Sequence, residues 1–259
     1  MEQKGQKPPQ RVEAQNRDAE RPATLIFLHG LADDADGFID IAHQFQAAHK
    51  LPHLSWIFPN APHNHEANST GWFTPTAFSP ILVGSSSSLA QNSSEEDESS
   101  ETSRIDDEIW TSVRYIEGLI EGELKKGVKL DRILVGGFSQ GCATSLLLGL
   151  AGKFKGSLGA VVGLGGFLPG GKRALEGREE LRKGRAEDGG ERKDMKVFMA
   201  HGTKDMLVPV RVFRDSREKV MHTVGEGNVE SHEYKGLGHT ASGAMFRDMC
   251  GFLEKVVPE

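Results

Sequence analysis

The sequence predicts an α/β domain built on a mainly parallel, doubly wound sheet with helices on both faces. Three observations lead there. Short apolar, β-branched runs alternate with longer segments of helical period, the pattern of a parallel sheet covered on both sides. One such run, Ile133-Leu134-Val135, enters Gly137-Phe138-Ser139-Gln140-Gly141, and the helix-compatible Cys142 to Leu150 follows at once. Finally, the side chains best able to do chemistry fall just after such runs, at the carboxyl ends of strands, where open α/β sheets place their sites.

The elements follow in order. Residues 1–22 are polar, charged and rich in Gln and Pro, and read as a disordered tail ahead of a single domain over 23–259. Thr24 to Leu28 is a fully apolar strand ending in His29-Gly30. Phe38, Ile41, Ala42 and Phe45 carry the helical spacing of residues 36–49. Leu54 to Phe58 is a strand stopped by Pro59. Residues 60–104 have no sustained period. Their first part, with Trp72, Phe73, Phe78, Ile81 and Leu82, is expected to form the rim of a site, and the acidic, Ser-rich insert at 84–104 to be disordered. Ile105, Ile109, Val113, Ile116, Leu119 and Ile120 mark an amphipathic helix over 105–125.

The elbow strand and its helix come next, then a buried strand from Leu158 to Gly163. Residues 170–194 are dense in Gly and charge and read as a surface insertion, with helical character over 173–183. Lys196 to Ala200 is a strand. Pro209 to Val224 is a helix with proline in its first turn, Val229 to Tyr234 a strand, and Ala241 to Val257 a terminal helix.

Composition excludes several classes. The formal charge is −6 with both signs interspersed, not the basic footprint of a nucleic-acid binder. Two cysteines, Cys142 and Cys250, do not make a disulfide framework and suit a reducing compartment. Met1 to Lys7 has no apolar stretch of a secretory signal, and the longest apolar run, Leu158 to Leu168, is short and broken by glycines. A soluble protein is expected, in the cytoplasm and with the nucleus open to it, without stable membrane insertion. His63-x-His65-Glu66 lacks a third ligand at useful spacing and reads as a polar loop, so no metal is expected.

Three residues form the chemical core of the reading. Ser139 sits between two glycines at a strand-to-helix bend that would present its hydroxyl. Asp205 and His239 follow later strands, and Ser–Asp–His is the chain order of α/β-hydrolase triads. A serine needs a base to take its proton, an imidazole can do so near neutrality, and a carboxylate fixes the imidazole tautomer. His29 and His201 also follow strands and read as packing support. Oxyanion donors would be the main-chain N–H of Gln140 and, from the loop after the first strand, of Leu31.

These motifs resemble the acyl-protein thioesterase, or phospholipase/carboxylesterase, family of α/β-hydrolases. The resemblance rests on Leu28-His29-Gly30-Leu31, Phe58-Pro59-Asn60-Ala61-Pro62, Gly71-Trp72-Phe73, Gly137 to Gly141, His201-Gly202 through Asp205 with Val208-Pro209, and Gly238-His239. It implies cleavage of thioesters or oxygen esters of acyl chains, with no metal or organic cofactor. It carries the nucleophile onto Ser139, the acid onto Asp205, the base onto His239 and the oxyanion donors onto Leu31 and Gln140. Acylated proteins, lipids or small esters would be the substrates. Departures fall at the rim: Ala32 for a usual Gly, Thr74 for a usual Asp, and Cys142 for a second Gly. Trp72, Phe73, Phe167 and Val208 are expected to bind the acyl chain. The competing readings are a carboxylesterase with a short acyl pocket and a non-catalytic binding module on the same fold.

Overall fold

A computed structural model describes residues 6–65, 68–74, 95–187 and 194–259, with the backbone alone for 95–103. The strands are β1 (Gln10–Val12), β2 (Ala23–Leu28), β3 (Leu54–Phe58), β4 (His63–Asn64), β5 (Ser69–Thr70), β6 (Ile133–Phe138), β7 (Ala160–Leu164), β8 (Lys196–Gly202) and β9 (Val229–Tyr234). The helices are α1 (Ile39–Ala47), α2 (Glu95–Lys125), α3 (Gln140–Ala151), α4 (Lys172–Glu187), α5 (Val210–Val224) and α6 (Gly243–Val256). A seven-stranded sheet has the order β1-β3-β2-β6-β7-β8-β9, parallel throughout except for β1 on β3, and β4-β5 is a small hairpin beside it.

Alternation along the strands builds two cores, because neighbouring side chains point to opposite faces. Ile26 and Leu28 of β2, Val135 of β6, Val161 of β7 and Val197 of β8 pack with α2, α3, α4 and α5. Leu25 and Phe27, Leu134, Val162 and Phe198 pack with α1 and α6. Both faces are thus covered, and the expected doubly wound α/β architecture is the one formed. Register then levels the strand ends: Leu28 pairs with Gly137, Phe138 with Leu164, Leu164 with Ala200 and Gly202 with Tyr234. The loops leaving β2, β6, β8 and β9 therefore open onto one rim.

Three expectations are corrected. The tail over 1–22 is not wholly disordered: β1 pairs antiparallel with β3, with Arg11 opposite Ile57, and buries Val12 and Ala14. Arg11 also reaches Glu123 at 2.9 Å, a buried carboxylate that accepts from Thr24 Oγ1 at 3.0 Å. A polar segment is ordered here because β3 offers it a free edge and α2 a charge. The helix expected from 105 begins at Glu95, inside the insert expected to be disordered, and the rest of that insert lies outside the described residues. The third correction is α4. It is no surface appendage, because Ala174, Gly177 and Leu181, three and four residues apart, turn a small apolar face inward. Gly177 lies against Ala151 of α3 so closely that an added Cβ would meet its methyl at 2.6 Å.

Candidate active site

Ser139 stands between β6 and α3 with φ 55° and ψ −115°. For a residue with a Cβ this is a strained conformation, held only by what surrounds it. Its N–H donates to Leu164 O on β7 at 2.9 Å, and its carbonyl accepts from Ala143 N at 3.1 Å. Gly141 permits the bend: a Cβ there would lie 2.3 Å from Leu28 O. The serine is buried to 6% exposure at the strand end.

His239 comes from the loop between β9 and α6. Its Nε2 lies 2.9 Å from Ser139 Oγ, and its Nδ1 lies 2.7 Å from Asp205 Oδ2. A carboxylate only accepts, so Nδ1 carries the proton and Nε2 is left to accept from the serine hydroxyl. Phe138, the last residue of β6, is half-buried against the Phe38 ring and sits against the imidazole with ring centroids 4.9 Å apart.

Asp205 is almost wholly buried, with its side chain 1% exposed. Its Oδ1 accepts from Leu207 N at 2.9 Å and Val208 N at 2.8 Å, while Oδ2 faces His239. Burial pushes its pKa up, but the hydrogen bonds from His239 and Val208 outweigh that, and the net direction is downward. His201 closes the other side. Its Nε2 donates to Val208 O at 2.8 Å and stands 3.4 Å from Asp205 Oδ2, and its ring stacks on Phe213. Burial holds the His201 pKa below its usual value.

The loop after β2 runs beside the nucleophile: a Cβ on Gly30 would lie 3.4 Å from Ser139 Cβ. His29 is buried in this loop. Ala61 N donates to its Nε2 at 3.0 Å, so Nδ1 carries the proton and donates to Gly30 O at 2.7 Å. Burial lowers its pKa. Gln140 N–H is the first amide of α3, a position with no partner inside the helix. The Gln140 side chain is fully buried and pairs with the next segment: Oε1 accepts from Trp72 N, and Nε2 donates to Phe73 O, both at 3.0 Å.

The geometry thus brings Ser139, Asp205 and His239 into one hydrogen-bonded chain and sets Gly30-Leu31 and Gln140 beside it. It does not present the expected acyl-binding side chains. Trp72, Phe73, Phe167 and Val208 are at most 2% exposed and belong to the core on the α3 face. Their apolar area is taken up by the core, in one cluster with Leu146, Leu147 and Phe213. Phe78, Ile81 and Leu82 lie outside the described residues. Cys142 fills the place of the second elbow glycine as a buried thiol, its pKa pushed up to about 12 by burial. Sequence reasoning missed Phe138 and the side-chain role of Gln140, while His201 packs against the acid loop as the supporting residue it was expected to be. The only signal for the first two was their adjacency to the motif residues.

A mostly parallel sheet with a serine at the strand–helix elbow, bonded through histidine to a buried aspartate, defines the class of α/β hydrolases. The chain belongs to the phospholipase/carboxylesterase family, whose model matches residues 10–257, and it is a hydrolase of esters or thioesters. Acyl-protein thioesterase 1 of Yarrowia lipolytica is 32% identical over 93% of this chain and 95% of its own. That of Mycosarcoma maydis is 33% identical over 91% and 92%. Among solved structures, SOBER1 of Arabidopsis thaliana superposes with a TM-score of 0.67 at 21% identity, over 91% of this chain and 99% of that one. Zea mays acyl-protein thioesterase 2 gives 0.63 at 20%, over 96% and 98%. These structures establish likeness of fold.

Proposed function

We propose that the chain cleaves acyl thioesters of proteins, and oxygen esters of lipids or small molecules, through an acyl-enzyme on Ser139. The observation that carries this reading is the continuous path Ser139 Oγ–His239–Asp205 at 2.9 and 2.7 Å. Ser139 Oγ attacks the carbonyl carbon while His239 Nε2 takes its proton. Asp205 holds the imidazolium that forms and keeps Nδ1 protonated. The Leu31 and Gln140 N–H groups stabilise the oxyanion, and His239 returns the proton to the leaving thiolate or alkoxide. Water then attacks the acyl carbon with His239 as base, releasing the acid and restoring Ser139. Among the described residues, no helix is long and apolar enough to cross a membrane.

The test pairs a fluorophosphonate probe with a chain-length series. Wild type becomes labelled and Ser139→Ala does not. kcat/KM for 4-nitrophenyl esters rises from acetate through octanoate. A sharp optimum at acetate would replace the acyl-protein reading with a short-pocket carboxylesterase, and a folded wild type that never labels would leave a binding module.

A further inference from the structure

We propose that Trp72 is the positioning residue of the oxyanion site, fixing both halves of it from within the core. The inference rests on the reading that Leu31 and Gln140 supply the oxyanion donors. It replaces the expected role of Trp72 as an acyl-chain contact, which its 1% exposure does not support.

Trp72 is hydrogen-bonded to both halves. Its indole Nε1 donates to His29 O at 2.8 Å, and its main-chain N–H donates to Gln140 Oε1 at 3.0 Å. Its carbonyl accepts from Ser112 Oγ of α2 at 2.5 Å, which anchors the residue to the helical layer. The His29 ring packs against the indole, with centroids 5.2 Å apart, and its Nδ1 holds Gly30 O at 2.7 Å. That bond has a direct consequence. The described chain has no cis peptide bond, and in a planar trans peptide the Gly30 C=O and the Leu31 N–H point opposite ways. Drawing the carbonyl onto His29 therefore aims the Leu31 N–H away from the imidazole.

The far end of the same loop is tied to the residue two before Trp72. Ala32, at φ 62°, donates its N–H to Thr70 O at 2.9 Å, and Thr70 Oγ1 donates to Asp33 O at 2.5 Å. Residues 70–72 thus grip the loop on both sides of Gly30-Leu31. The side-chain amide of Gln140 extends the grip to the start of α3 through Trp72 N and Phe73 O. A single segment sets the separation between the two donors, and the indole N–H is its bond to the His29 side.

Loss of that N–H leaves the buried His29 carbonyl without its donor and lets the loop relax. Misplacement on the order of 1 Å costs about a hundredfold in rate. Trp72→Phe keeps a ring in the core and removes only the donor and part of the indole area. Trp72→His removes more area but can return an N–H at the same distance from Cγ.

The experiment compares wild type, Trp72→Phe and Trp72→His with 4-nitrophenyl butyrate and an aryl boronic acid, which forms a tetrahedral adduct on the serine. Trp72→Phe is expected to lower kcat between about tenfold and a hundredfold. KM should stay within about twofold, the pH profile should keep its midpoint, and boronate affinity should fall in parallel with kcat. Trp72→His is expected to recover most of kcat despite a lower melting temperature, which a packing role alone does not allow. Wild-type kcat in folded Trp72→Phe, or a loss confined to KM that grows with acyl length, overturns the proposal. Failure of the underlying reading is read separately: wild type then neither labels with fluorophosphonate nor binds the boronate.

Discussion

Asp205→Asn isolates the role of the carboxylate, and its consequence can be worked out from the bonds it makes. Oδ1 accepts from two main-chain donors, Leu207 N and Val208 N, at 2.9 and 2.8 Å. An asparagine placing its NH2 there would oppose two N–H groups and forfeit both bonds, each worth about 1 kcal/mol or more. Its carbonyl therefore stays with the loop, and the NH2 turns to the place of Oδ2, 2.7 Å from His239 Nδ1. Nδ1 must then accept, the imidazole proton moves to Nε2, and Nε2 can no longer take the serine proton. In a triad of this kind the wrong tautomer lowers kcat about 10⁴-fold, close to 5.4 kcal/mol of barrier. The assay is kcat for 4-nitrophenyl butyrate, with circular dichroism to show that the variant folds. A folded Asp205→Asn enzyme within tenfold of wild type would refute the argument, because some other group would then be setting the tautomer.

Two further outcomes concern stability. Ser139 holds φ 55° and ψ −115°, so Ser139→Gly should unfold at higher denaturant than Ser139→Ala, by about 1 kcal/mol, though both are inactive; equal midpoints would mean the elbow stores no strain. Arg11→Ala should lose about 1 kcal/mol at pH 7, measured by urea unfolding, because it takes a partner from the buried Glu123. Burial raises the Glu123 pKa, but the bonds from Lys126, Arg11 and Thr24 bring it below its ordinary value of 4.5. A depressed carboxylate stabilises above its unfolded pKa and ceases to as pH falls through its folded one. The gap between wild type and variant should therefore narrow below about pH 4.5; a gap constant to pH 3 would place the effect elsewhere.

The sheet was legible because buried parallel strands leave uninterrupted apolar runs, as in Leu25 to Leu28 and Val197 to Ala200. Ser139, Asp205 and His239 were legible because each follows such a run, and register brings those ends level. β1 was not, since three residues of an edge strand, Gln10-Arg11-Val12, show no period, and their pairing depends on a partner far along the chain. The helical character of α4 was legible over 173–183, but its seat was masked by charge: solvent-facing Lys, Arg and Glu outnumber the Ala174, Gly177 and Leu181 that pack inward. Trp72 and Phe73 were misplaced for a different reason. An aromatic residue in an aperiodic segment looks the same whether it faces a ligand or the core, and only the hydrogen bonds of the indole and main chain tell the two apart.

The antiparallel join at Gln10–Val12 makes the first stretch of the chain a cap on the flank of the sheet. A preparation trimmed past Val12 leaves the outer edge of β3 without its mate, and a second trimmed molecule can supply one. A fusion partner or protease site placed ahead of Gln10 keeps that flank closed, and one placed beyond Val12 opens it to edge-to-edge pairing.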